Sequence, residues 1–312
     1  MPTNWPRAYS GPVAVAQFRT TPESFQVDEI RDDALSGEGD YLYLQIRKRD
    51  IDTAAVVSEL SKIFATKPRN ISYAGRKDRF AVATQWFCVA MANQNTPELG
   101  HELHHKFSVL QTQRHHEPLA IGDLTANRFT ILLSDYDGDI DQTTDTLERI
   151  KQKGFPNYFG PQRFGSKGQN LVRGRRMLAG ELRVRDKNQR SMYLSACRSF
   201  LFNEMLAARV KRQSWDIGID GDLSSPAVGF MPGDGEIPVS GEAGQIVRAV
   251  LEQHQELYTG IKNSRVAWHQ RELLVQATEL EYQWQDDQLE LTFSLPKGAF
   301  ATSLLRELIE LA

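Results

Sequence analysis

At 312 residues, 40% of them hydrophobic and 25% charged, the chain has room for about two domains or one large core with an insertion. No run of about 18 apolar residues occurs, which argues against a membrane-spanning helix. A net charge of −3 selects no partner class by itself. Its distribution does: residues 151–212 hold 15 Lys and Arg against 3 acids, a local +12, and residues 214–312 carry 16 acids against 6 bases. A basic third beside an acidic third suggests a face that meets a polyanion.

The N-terminal stretch holds Trp5 and two prolines but no apolar signal core, so secretion is not expected. A cytoplasmic protein follows, with Cys88 and Cys197 as buried, reduced thiols. Short extended patterns are expected over 13–18 and 25–30. Residues 41–47 alternate, with Leu42, Leu44 and Ile46 on one face. Asp52 or Thr53 can cap a helix carrying Val56, Leu60, Ile63 and Phe64 on one stripe. Pro68 closes it. Strands are expected over 86–91 and 128–133.

Residues 135–141 look like a calcium loop, but they lack the glycine and the closing glutamate of one. A turn feeding a helix over 142–153 is expected instead, with acids at its positive end. Glycines then alternate with aromatics and arginines over 154–176. A helix over 191–212, a loop region or cut-down subdomain over 216–245, a strand over 281–295 and a short helix over 303–311 complete the order. No exposed heptad stripe is present, so a monomer is expected.

Four stretches carry chemistry. The first, Ser72 to Gln85, sets Asp78 between Lys77 and Arg79, after Gly75 and before an apolar strand. Glycine can turn the backbone without steric cost, and flanking cations favour a carboxylate. The others are Asn127-Arg128-Phe129, the run Asn157 to Gly165 that includes Gln162 and Arg163, and Gly298 to Thr302. Rings that stack on bases beside arginines that meet phosphates are working parts of single-strand and flipped-base recognition.

Together these stretches resemble the TruD family of tRNA pseudouridine synthases. Residues 74–79, followed by Ala81, Val82, Thr84 and Gln85, match its nucleophile motif. Asn127 and Phe129 match its Asn-x-Phe motif, 157–165 the opening of its insertion domain, and Phe25 and Phe300 its N- and C-terminal aromatics. The resemblance implies an α+β fold: a mixed, mainly antiparallel central sheet flanked by helices over 1–152 plus 275–312. An inserted α/β domain would span 153–274, shortened around 222–233.

It further implies isomerisation of uridine to pseudouridine in tRNA, at position 13, without metal or cofactor. Asp78 would act on the ribose of a flipped uridine and Phe129 would stack on its base. Asn127 would hold substrate or nearby turns, Phe25 and Phe300 would wall the pocket, and Lys77 and Arg79 would meet phosphates or steady the Asp78 anion. Gln162 and Arg163 would contact RNA. Two other readings compete. One is an RNA-binding module without catalysis. The other is a zinc hydrolase built on His101, Glu102 and His105, which match the His-Glu-x-x-His spacing but follow Gly100 and have no clear third ligand.

Overall fold

The structure is a computed structural model and describes residues 5–9, 14–92, 95–97, 99, 104–224 and 227–310. In chain order the strands and α-helices are β1 Val15–Phe18, β2 Phe25–Ile30, β3 Tyr41–Arg49, α1 Thr53–Ile63, β4 Ile71–Tyr73, β5 Val82–Ala90 and β6 Phe107–His115. Next come β7 Ala126–Asp137, α2 Ile140–Lys153, β8 Phe155–Pro156, α3 Gln169–Leu178 and α4 Lys187–Lys211. The remainder is β9 Val228–Met231, α5 Gly241–Gln253, α6 Gln255–Asn263, β10 His269–Glu272, β11 Leu274–Val275, β12 Thr278–Gln285, β13 Gln288–Pro296 and α7 Ala301–Leu305.

These elements divide into two compact units. One comprises Val15–Asp137 and Ala277–Gly298, the other Met1–Ala14, Gly138–Gln276 and Ala299–Ala312. The first is a nine-stranded sheet with the order β12-β13-β7-β2-β5-β3-β6, β1 lying on β7 and β4 on β5. Only the β2–β5 pairing is parallel, so the sheet is mixed and mainly antiparallel. The fold is α+β.

Alternation dictates which side chains point inward. Leu42, Leu44 and Ile46 of β3 join Phe87 and Val89 of β5 under Val56, Val57 and Leu60 of α1. Tyr43, Trp86 and Cys88 form a second cluster with Leu119. Asp52 caps α1 by accepting the Ala55 N–H. Ile63 is exposed, so the apolar stripe of α1 runs through Val56, Val57 and Leu60.

The other unit is mainly helical. Its central helix, α4, starts where Asp186 accepts the Gln189 N–H. Asp139 does the same for α2 by accepting from Gln142, so the acidic run after β7 is a strand end and a helix cap. Gly174 lets α3 approach α4, because a Cβ there would stand 2.6 Å from the Tyr193 carbonyl oxygen. Cys197 packs at the same crossing, and burial pushes its thiol up to about 12. Small antiparallel pairs, β10–β9 and β11–β8, complete this unit.

Two expectations are corrected. Residues 281–295 are not one strand but the hairpin β12–β13, which turns where Asp286 adopts φ 51° and pairs Gln285 with Gln288. The region 216–245 is not all loop: it holds β9 and the start of α5.

Candidate active site

The loop between β4 and β5 is tied down at Gly75, Lys77 and Asp78. Buried Gln85 donates from its amide nitrogen to the Gly75 carbonyl. The Thr53 hydroxyl at the head of α1 donates to Gln85 Oε1 and accepts the Lys77 N–H, each at 3.1 Å. Lys48, fully buried, donates from Nζ to the carbonyl oxygens of Ile51 at 2.7 Å and Asp78 at 2.8 Å. Gly75 is not among the residues with positive φ, so the turn does not depend on the left-handed conformation that glycine supplies.

The Asp78 side chain itself stays 43% exposed, and its Oδ2 accepts an N–H from Arg19 Nη2 at 2.6 Å. Arg19 has φ 60° between β1 and β2. Its guanidinium lies 3.9 Å over the Phe25 ring and 5.0 Å from that of Phe18. Cation–π contact and the carboxylate hold this arginine from two sides. Its Nε is buried without a partner.

Phe25 leads on to the other predicted residues. Its ring lies 6.0 Å from that of Phe129, which stacks 5.5 Å from Phe293. The register of β2 on β7 places Val27 beside Phe129 and Glu29 beside Asn127. The Asn127 side-chain oxygen is buried and unpartnered. Sheet register and the Arg19 bridge therefore bring Asp78, Phe25, Phe129 and Asn127 into one contiguous constellation.

Three expected contacts differ. The Lys77 ammonium does not face solvent but pairs with Glu29 Oε1 at 2.5 Å, the two side chains 8% and 1% exposed. Glu29 Oε2 accepts the Trp86 N–H, so this pair anchors the loop to the sheet. Arg79 is exposed and lies 3.4 Å from Asp50. The cation at the carboxylate is Arg19. Phe129, expected to stack on a base, is packed between Phe25 and Phe293 and only 8% exposed, which makes it a floor.

Phe300, Gln162 and Arg163 belong to the helical unit. Of the aromatics in the 157–165 run, Tyr158, Phe159 and Phe164 are buried core residues, and Asn203 fixes the backbone of Phe159 by bonding both its N–H and its carbonyl. The Thr302 hydroxyl donates to Gln162 Oε1 at 3.4 Å. A Cβ on Gly160 would meet Thr302 Oγ1 at 2.4 Å, so glycine is required for that approach.

His101 and Glu102 lie outside the described residues. His104 stacks on Phe107, and among the described residues no group of three His, Cys, Asp or Glu could hold a metal.

Sequence reasoning missed Arg19, Lys48 and Glu29. Two of them left a trace: Lys48 continues the inward series Leu42, Leu44, Ile46, and Glu29 continues Phe25, Val27. A charge at an inward strand position requires a buried partner. Arg19 carried no such signal.

The profile of the family described as tRNA pseudouridine synthase D (TruD) matches residues 8–184 and 223–308. The tRNA pseudouridine synthase D of Methylococcus capsulatus is 37% identical, over 98% of this chain and 94% of the relative. That of Vibrio parahaemolyticus is 35% identical, over 96% and 93%. Among solved structures, a Methanosarcina mazei protein described as a candidate tRNA pseudouridine synthase D superposes with a TM-score of 0.72. It is 20% identical and covers 98% of this chain and 96% of its own, a likeness of fold.

Proposed function

This chain belongs to the TruD family of tRNA pseudouridine synthases, and from that premise we propose that it isomerises uridine to pseudouridine in tRNA, at position 13, with Asp78 as the catalytic carboxylate. The reaction breaks the bond from uracil N1 to the ribose C1′, turns the base, and joins C5 to C1′. The hydrogen leaves C5 and N1 ends protonated, so no oxidant or cofactor is consumed.

The observation that carries the reading is the Asp78 carboxylate, presented from a loop whose backbone is fixed by Gln85, Thr53 and Lys48. Arg19 occupies Oδ2, which leaves Oδ1 to reach the sugar. That oxygen can add to C1′ or take a proton from C2′, and both routes free the uracil. A fixed loop keeps the carboxylate at attack distance, the condition under which proximity lowers a barrier.

Asn127 supplies an amide oxygen that suits the N3–H of a uracil, a bond that would satisfy an acceptor otherwise buried alone. Phe25 and Phe129 line the space for the base, and exposed Arg79 can trade its 3.4 Å pairing with Asp50 for the RNA backbone. Extruding the nucleotide costs a few kcal/mol, offset by phosphate contacts from the basic 151–212 segment. The same reading gives a monomer acting in the cytoplasm on tRNA. No helix among the described residues is long and apolar enough to cross a membrane.

Tritium release from tRNA carrying 5-tritiated uridine tests the assignment. The wild-type protein releases label and leaves pseudouridine at one mapped position. Asp78→Asn keeps the shape of the side chain and loses turnover by at least about 10³-fold, as expected for removal of a catalytic carboxylate on either route. Full turnover by that variant overturns the proposal.

A further inference from the structure

Two arginines of the helical unit share one pair of aromatic rings. The Arg271 guanidinium, on β10, lies 4.0 Å over the centre of the Phe159 ring, and that of Arg163 lies 5.1 Å from the same ring. Both also approach Phe300, at 6.0 and 5.9 Å. Asn157 fixes Arg271, accepting from its Nη2 at both the side-chain and the backbone oxygen. Asn157 is itself held, donating from Nδ2 to the Glu272 carbonyl at 2.8 Å. Arg163 donates from Nη1 to Ser195 Oγ at 3.3 Å, while its Nε–H is buried with no partner.

This arrangement is costly as it stands. Burial lowers the pKa of Arg163. It pushes Arg271 down to about 9, with the charge of Arg163 adding to the effect and Glu272 opposing it. A cation over a ring recovers only part of that cost, and the rings do nothing for the repulsion between the two guanidiniums. An anion shared by both would relieve repulsion and desolvation together, and it would give the stranded Nε–H an acceptor. Planar guanidinium forks match phosphate oxygens in geometry as well as charge. Phe300, half-buried beside the pair, offers a ring on which a base can stack. A phosphate site next to a stacking surface is fitted to a nucleotide.

We propose that Arg163 and Arg271 form a phosphate-binding pair that grips one phosphodiester of the RNA backbone beside the Phe300 ring. The proposal deepens the pseudouridine synthase reading and rests on it. It also makes Asn157 a positioning residue, which sets the direction of the Arg271 fork.

The experiment measures equilibrium binding of tRNA at several salt concentrations, in an Asp78→Asn background so that bound RNA is not turned over. Arg163→Gln is the informative substitution, because it removes a charge whose side chain makes a single hydrogen bond to Ser195. With a melting temperature equal to the parent's, it is expected to raise Kd about tenfold near 50 mM salt. It should also flatten the slope of log K against log salt by about 0.7–0.9, the amount assigned to one lost phosphate contact.

Arg163→Lys keeps the charge and loses the fork, so its slope stays at the parent value while Kd rises. A folded Arg163→Gln protein with the parent's Kd and slope overturns the proposal, and the pair is then a staple between β10 and the 157–165 run. If Arg163→Gln does not fold, an unchanged Kd in Arg163→Lys overturns it equally. The two readings fail separately. A flattened slope in a protein whose wild type forms no pseudouridine keeps the RNA site and ends the reaction reading. An active wild type whose slope does not move ends only the phosphate pair.

Discussion

Lys48 is buried where its neighbours in the β3 series are aliphatic, and it spends its ammonium on the carbonyls of Ile51 and Asp78. Desolvation lowers its pKa from 10.5 to about 8. Between those values the unfolded chain binds a proton that the folded chain has released, so this group's contribution to stability rises with pH across that window. Denaturant unfolding at pH 7.5, 9 and 10 should show the wild type gaining on Lys48→Met by up to about 3 kcal/mol. A constant difference between the two proteins would contradict the assignment.

Asp78 was legible from sequence because glycine, charge and strand signals crowd around it within a few positions. Arg19 was not, since it meets Asp78 only through the fold, 59 positions away. Lys77 shows a second limit. It was expected at phosphates or at the Asp78 anion and pairs with Glu29 instead, because whether a cation points to solvent or inward is decided by the path of a loop that spacing does not encode.

At the scale of elements, α4 is joined to the segment after it by a buried pair. Arg209 grips Asp222 with two hydrogen bonds of 3.0 Å, both side chains being 5% exposed. Arg209 also donates to the carbonyls of Ser214 and Ile217. Asp222→Asn leaves that guanidinium buried without its counter-charge and should cost about 3–5 kcal/mol, read as a fall in the denaturation midpoint. A midpoint within about 0.5 kcal/mol of wild type would show that water reaches the site.

Two helices announced themselves through acids at their heads: Asp52 and Asp139 each precede a helix and each accepts an N–H from its first turn, whereas α4, expected from 191, starts at Lys187 behind an Asp186 cap that spacing did not single out. The β12–β13 hairpin did not, because Asp286-Asp287 turns without glycine and alternation on both sides reads as one continuous pattern. Strand β7 extends past its apolar stretch because it has partners on both sides, β2 and β13, with β1 pairing further along, and hydrogen bonding there is not a property of its own residues.

For the whole molecule, the basic 151–212 segment is expected to set how RNA binding responds to ions. If RNA is the ligand, affinity for tRNA should fall by at least about tenfold between 50 and 200 mM salt, since several phosphate contacts each release counterions. Affinity flat over that range would remove the electrostatic part of the reading. Charge distribution was visible in composition. The division of the chain was less so, because 1–14, 138–152 and 299–312 cluster with the helical residues rather than with the sheet.

That interleaving bears on how the polypeptide matures as it leaves the ribosome. Strand β7 must wait for β13, made some 160 residues later in the chain, and Ala14 waits for Ile309, with which it forms a bridge. Neither unit can close before β13 and Ile309, respectively, have been synthesised. The nascent chain therefore carries an open sheet edge while the residues between Asp137 and Gln288 are made, the kind of edge that invites misassociation and gives chaperones something to hold.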